Sequence, residues 1–241
     1  MARKILLALL MLNVSICFSQ KKPPDKIVVL TFDDASQSHY SYVAPLLKKY
    51  GFGATFYVCE YPPDFGDTTK YMSWYDMKKL SDMGFEIGNL GWHHARIDHL
   101  SNDSLKSELL YIERKCDTFK IPKPTSMAYP DFITDATKIP VINRLGYTTA
   151  RAGGNHAYFP AYDGAYYIPS FTLNEHNEQE IIDAFAFAKN GHVVVITVHG
   201  VPDLAHDALS TSTSVFENCM KYLYDNHYIV VSMRGLTGYT K

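Results

Sequence analysis

The chain has 241 residues, of which 46% are hydrophobic and 20% charged, with a formal net charge of −2. That composition excludes intrinsic disorder, which needs low apolar content and high net charge, and the absence of a basic excess argues against nucleic acid as a partner. Aromatic residues reach 14%, with 18 tyrosines, a supply that serves either a packed core or a sugar-lined cleft.

Residues 1–19 read as a leader. Arg3 and Lys4 make a charged start, Ile5 to Leu12 an apolar stretch, and Cys17-Phe18-Ser19 a small-residue exit before Gln20. The apolar run is shorter than the ~20 residues of a membrane span and Asn13 interrupts it, so the mature chain is expected to carry no transmembrane segment and to be secreted or periplasmic. A lipid anchor on Cys17 is the less favoured alternative, because bulky Ile16 precedes it where a small residue is expected. Removing Arg3 and Lys4 takes the charge to −4. Residues 20–25 form a polar lead-in, and 26–241 form one domain. Cys59, Cys116 and Cys219 remain beyond the leader, without a Cys-x-x-Cys, and imply buried thiols rather than a disulfide framework.

Strand-like and helix-like segments then alternate. Ile27 to Phe32 is a β-branched run, Val43 to Tyr50 a helix stopped by Gly51, and Ala54 to Cys59 a second strand. Ser73 and Asp76 make a capping box for a helix ending near Gly84, and Phe85 to Leu90 is a third strand. Leu105, Leu109, Ile112, Cys116 and Phe119 draw one apolar stripe along a long helix. Ser126 to Tyr129 and Tyr147 to Arg151 read as strands flanking a short helix over Lys138 to Leu145. Beyond a Gly- and Pro-containing loop over Gly153 to Tyr167, Asn177 to Lys189 is a helix and Val193 to Val198 the most apolar strand. Ser214 and Glu217 predict the start of a helix carrying Phe216, Cys219 and Leu223, and Tyr228 to Met233 closes the series. Such alternation implies a parallel sheet with helical crossovers, open or closed into a barrel.

In both architectures functional residues gather at the carboxyl ends of strands. There stand Asp33 and Asp34, then His93 and His94, then Arg151, then His199. Adjacent carboxylates raise each other's pKa unless something offsets the charge; either the pair caps a turn or one of them holds a metal ion while the other stays free as a base.

These residues resemble the polysaccharide deacetylase family, also called the NodB-homology or carbohydrate esterase family 4 domain. The likeness runs from about Lys26 to Leu236 through Thr31-Phe32-Asp33-Asp34, Ala54-Thr55-Phe56-Tyr57, Leu90-Gly91-Trp92-His93-His94, Met127-Ala128-Tyr129-Pro130 and Val195-Ile196-Thr197-Val198-His199. The resemblance implies a distorted (β/α)7 barrel that removes acetyl groups from amino-sugar or other acetylated glycans. It implies Asp34 and His94 as ligands of a divalent metal, zinc by preference, Asp33 as general base and His199 as general acid. Tyr129, Pro130 and Arg151 are the expected substrate-side residues, and an acetylated oligo- or polysaccharide the partner.

The departures from the family pattern are specific. Leu90 stands where a first metal-binding histidine is expected, and catalytic zinc sites normally keep three protein ligands. His93 is a substitute that would have to swing in, because its backbone position points it elsewhere, and His39 and His99 are more remote candidates, expected on the surface. Ala128 stands in place of an arginine that orients the base; Arg151, at the end of the next strand, either supplies that charge or is a surface or structural arginine. No Asp-Trp pair marks a partner for His199, leaving Asp163 or Asp203. The alternative to an active deacetylase is therefore an impaired or inactive barrel that binds carbohydrate through aromatic residues such as Trp92, Tyr129, Tyr158 and Tyr162.

Overall fold

The computed structural model describes residues 23–60 and 64–240. The leader over 1–19 and the choice of anchor at Cys17 lie outside those residues.

The strands are β1 (Ile27–Phe32), β2 (Thr55–Val58), β3 (Glu86–Asn89), β4 (Ser126–Ala128), β5 (Thr149–Arg151), β6 (Phe171–Thr172), β7 (Val194–Val198) and β8 (Ile229–Val231). The helices are α1 (Ala44–Tyr50), α2 (Trp74–Asp82), α3 (Asn102–Thr118), α4 (Ile139–Arg144), α5 (Glu178–Phe185), α6 (Thr213–Asp225) and α7 (Met233–Thr240). The sheet order is β5-β4-β3-β2-β1-β7-β6, every pairing is parallel, and β8 pairs with the amino-terminal half of β1. The segment 168–172 joins the two ends of this path. Ile168 exchanges backbone hydrogen bonds with Ala150 and Ala152 beside β5, and Phe171 and Thr172 pair with Ile196 and Thr197 of β7. The result is the distorted (β/α)7 barrel anticipated above.

Successive side chains of a strand point to opposite faces, and the two faces of this sheet are occupied differently. Val28, Leu30 and Phe32 of β1, Phe56 and Val58 of β2, and Val194, Ile196 and Val198 of β7 pack outward in one large core with Leu47, Met77, Phe185, Phe216 and Leu223 of the helices. Residues of the other parity face the barrel interior. There Tyr57 fills the axis, and Gly88 makes room for it: a Cβ at Gly88 would lie 2.3 Å from the Tyr57 ring. Lower in the interior the buried Glu86 carboxylate accepts from Thr55 Oγ1, Ser126 Oγ and the Arg234 amide, at 2.6–2.8 Å. A buried carboxylate is tolerable only when so satisfied.

Local chemistry explains where helices start. Ser73 and Asp76 form the anticipated capping box on α2, and the stripe Leu105, Leu109, Ile112, Cys116 is the buried face of α3. The start of α6 differs from the sequence reading. Ser212, not Ser214, caps the helix by accepting the Val215 amide, and Glu217 instead accepts from the Tyr42 hydroxyl. α5 is shorter than the apolar pattern suggested, and β6 and α7 were not signalled: β6 is two residues long, and α7 contains Gly235 and Gly238, which are poor helix formers. Cys59, Cys116 and Cys219 are buried free thiols. No helix of the described residues is long and apolar enough to cross a membrane.

Candidate active site

The interior parity carries the chemistry to one end of the barrel. Continuing the inward set of each strand by one step past its end gives Asp33 from β1, Cys59 from β2, Leu90 from β3 and His199 from β7. Ala128 and Arg151, the last residues of β4 and β5, complete the layer. The ladder supports this placement, since the Asp33 amide donates to the Val198 carbonyl at 3.0 Å and the Leu90 amide to the Val58 carbonyl at 3.0 Å.

Arg151 is fully buried, and its Nη2 donates to both carboxylate oxygens of Asp33, at 2.6 and 2.5 Å. Its guanidinium carbon lies 5.3 Å from the Tyr57 ring centroid and 5.0 Å from that of Phe132. The strand register pairs Arg151 directly with Ala128. The charge missing at residue 128 thus enters from the next strand. Arg151 serves Asp33 rather than standing open to a substrate.

Asp34 follows with a left-handed backbone (φ 69°), as does Ala35 (φ 53°), which turns the chain away from the ladder after two acids. Asp34 is 4% exposed, and its Oδ1 has no hydrogen-bond partner. Burial, then the like charge of Asp33, pushes its carboxyl well above the ordinary range, with Arg151 pulling the other way. His94, also left-handed (φ 55°), brings Nε2 to 3.5 Å from Asp34 Oδ1, while His199 Nε2 stands 4.0 Å from Asp34 Oδ2. Burial lowers the pKa of both imidazoles, with Asp131 opposing the shift at His94 and Asp33 at His199. The sequence-derived set Asp33, Asp34, His94, Arg151 and His199 therefore converges.

Two donors about 2.0–2.2 Å from a tetrahedral metal ion stand about 3.3–3.5 Å apart, so the Asp34–His94 separation and the orphaned Asp34 oxygen suit a cation. A third protein donor is missing. Leu90 is packed among Tyr57, Cys59 and Ala128, and no group of three or more His, Cys, Asp or Glu among the described residues is arranged to hold a metal. His93 is turned outward, with Nδ1 2.8 Å from Glu108 Oε1 on α3 and its ring against Trp92. His99 is exposed beside Asp98.

His39 departs from expectation. It is fully buried, edge-on to Phe32, with Nε2 hydrogen-bonded to the His199 carbonyl oxygen. Burial lowers its pKa to about 4. Of the two acids expected to partner His199, Asp203 acts on it, but after Asp33, whereas Asp163 is engaged by the Phe159 amide. Asp203 Oδ1 accepts the amides of Ala205 and His206, and its Oδ2 lies 3.5 Å from His206 Nδ1. Sequence reasoning missed His206 and Asp131, which lie on loops without regular spacing.

Most of the aromatic residues proposed for a sugar cleft are buried or already engaged. Tyr129 is buried and donates its hydroxyl to the Tyr166 carbonyl, Pro130 is buried, and Tyr158 belongs to the core beside Val193. Trp92 lies between Tyr111, stacked at 4.0 Å and 8°, and His93. Tyr162 is exposed.

Comparisons with known proteins bear on the family and the fold. A family model described as "Polysaccharide deacetylase" matches residues 20–150. The Bacillus subtilis (strain 168) protein YxkH is 28% identical over 110 residues, covering 46% of this chain and 38% of that one. A chitin deacetylase from Pestalotiopsis sp is 26% identical over 187 residues, covering 77% of this chain and 55% of that one. The chain thus spans between about a third and just over half of the length of these curated relatives. Among solved structures, the chitin deacetylase of Colletotrichum lindemuthianum superposes with a TM-score of 0.64 at 16% identity, covering 89% of this chain and 88% of that one, a likeness of fold. With more than half of its length matched by the family model, the chain belongs to the polysaccharide deacetylase family.

Proposed function

We propose that this protein is an exported hydrolase that removes acetyl groups from amino-sugar or other acetylated glycans by metal-assisted attack of water. The observation that carries the reading is the buried Asp33–Arg151 pair standing beside an unpartnered Asp34 oxygen that faces His94. Export is read from the leader pattern of residues 1–19.

Asp34 and His94 are the residues that would hold a divalent ion, zinc by preference and one of several that an imidazole suits. When bound, such an ion supplies Lewis-acid polarisation of the acyl carbonyl and lowers the pKa of water. The chain's own residues do the rest. Arg151 fixes the Asp33 carboxylate in one orientation, from which it accepts a proton from the attacking water. His199, protonated, is a stronger acid than a free histidine because its pKa is lowered, and it hands its proton to the leaving amine as the C–N bond breaks. His39, bonded to the His199 carbonyl, fixes the backbone from which that imidazole projects.

The test is zinc binding by the purified protein, together with acetate release from acetylated chito- and xylo-oligosaccharides. Bound metal and acetate support the reading; neither metal nor acetate from any acyl sugar rejects it. Leu90, in the seat of a third donor, favours a second reading in which the barrel binds acetylated glycans with little or no turnover. That reading predicts oligosaccharide binding that survives a chelator and Asp33→Asn.

A further inference from the structure

We propose that Asp131 is a positioning residue for His94: its carboxylate takes the Nδ1–H of the imidazole and so leaves the Nε2 lone pair facing Asp34. The inference rests on the reading that Asp34 and His94 are the metal-side pair, and assigns a role to a residue outside that pair. The ring of His94 stands between two acids. Asp34 Oδ1 is 3.5 Å from Nε2, and Asp131 Oδ1 is 4.0 Å from Nδ1. The Asp131 side chain is 57% exposed, and the proposal has it rotate to close the remaining distance to Nδ1. Histidines that ligate a metal commonly donate their other ring N–H to a carboxylate, which fixes both tautomer and orientation. Asp131 is also the leading charge acting on His94.

The backbone supplies an independent reason to look here. Asp131 (φ 53°) and Phe132 (φ 61°) are consecutive left-handed residues, and neither is glycine. Aspartate tolerates that region better than most residues, whereas phenylalanine does not. Strain of this kind persists only where the surroundings over-determine it, and it clusters at functional sites. The turn is held by the Phe132 amide on the Tyr129 carbonyl (3.0 Å) and the Ile133 amide on the Pro130 carbonyl (3.1 Å). It delivers two side chains to the site at once: Asp131 beside His94, and Phe132 over the guanidinium of Arg151. Gly153 leaves the space this requires, since a Cβ there would come within 3.0 Å of Phe132 Cγ. The turn between β4 and α4 therefore steadies both the base-side arginine and the metal-side histidine.

The competing explanation is that Asp131 is present only because a short polar residue tolerates a left-handed backbone. Asp131→Asn keeps that tolerance and removes the charge. Asp131→Gly relaxes the backbone and removes the side chain. The full chain and both variants are titrated with zinc by calorimetry, with thermal unfolding to show that each is folded. In metal-free protein, 15N shifts of the His94 ring report which nitrogen carries the proton. The proposal expects zinc affinity to fall by about 10- to 100-fold in both variants. It also expects an unchanged or raised melting temperature for Asp131→Gly, and an Nδ1–H tautomer in the wild type that is lost in Asp131→Gly. Zinc binding by the wild type with equal affinity in the variants overturns it. If the wild type binds no zinc, the metal-assisted reading fails, and the tautomer decides the inference by itself: a His94 proton on Nε2, or one unmoved by Asp131→Gly, overturns it.

Discussion

Replacing Arg151 with methionine keeps most of the side-chain volume and removes one charge of a fully buried pair. The magnitude follows from the geometry. With Nη2 2.6 and 2.5 Å from the Asp33 oxygens, the charge centres are about 4 Å apart, and at an effective dielectric near 20 their attraction is about 4 kcal/mol. The guanidinium also lies over two aromatic rings, Tyr57 and Phe132. Against this stands the cost of desolvation, and Arg151 Nε and Nη1 have no hydrogen-bond partner to offset it. The single variant leaves Asp33 buried, charged and next to Asp34, so it should lose about 3–5 kcal/mol of stability at neutral pH. The double variant Arg151→Met with Asp33→Asn also removes the carboxylate that Arg151 holds and should recover most of that loss. Urea unfolding of wild type, both single variants and the double variant closes the cycle, with coupling of at least about 2 kcal/mol expected between the two sites. A cost below about 1 kcal/mol for Arg151→Met, or additive single effects, would refute the argument that this pair holds Asp33 in place.

Three further outcomes follow from neighbouring residues. The buried His39 titrates near 4 against an ordinary 6.5, so the unfolded chain binds more protons between those values and stability falls as pH drops through that window, by up to about 3 kcal/mol. His39→Gln keeps an N–H for the His199 carbonyl but does not titrate, so the stability advantage of wild type over this variant should shrink by that amount from pH 6.5 to 4; a difference flat with pH contradicts the assignment. Gly200→Ala would place a Cβ 2.3 Å from Asp203 Cα and 2.7 Å from its amide nitrogen, which is backbone and cannot step aside, so unfolding experiments should show a loss of about 2–3 kcal/mol, with a near-neutral result counting against the tight His199–Asp203 turn. Leu90→His adds a donor to the seat between Tyr57 and Ala128, and at about 3 kcal/mol per protein ligand zinc affinity should rise roughly 100-fold by calorimetry; an unchanged affinity in a folded variant would show that the rest of the site no longer receives a metal.

The site was legible in the sequence wherever a residue lies on, or one or two steps beyond, an apolar strand, because parity alone then fixes its direction. Asp33, Arg151 and His199 are such residues, and the runs that lead to them are buried end to end. Legibility failed where the loop, not the strand, sets direction. His39 lies in a polar Ser- and Tyr-containing stretch that carries no apolar signal, yet a π-helical turn over His39–Val43 carries its ring beneath His199. Asp131 owes its place to two left-handed residues that no composition announces. The closing segment 168–172 is too short for its period to register.

The same parity explains why the two departures from the family pattern have unequal consequences. At residue 128 the lost arginine is replaced across the strand register, since Ala128 pairs with Arg151, and a long flexible arm can bring the same charge to Asp33 from an adjacent strand. Charge compensation tolerates such a shift because Coulomb attraction falls slowly with distance and the guanidinium offers several donors. Metal coordination does not, because a ligand atom must sit about 2 Å from the ion along a fixed direction. Of the inward neighbours of Leu90, Ala128 carries no donor, Tyr57 is committed to filling the axis, and Cys59 belongs to no group of three or more His, Cys, Asp or Glu arranged to hold a metal among the described residues. On the proposed reading the charge beside Asp33 is thus restored and the Asp34–His94 side is left with two protein donors, so the expected outcome is an intact Asp33 geometry and a turnover limited by how much metal the protein can hold.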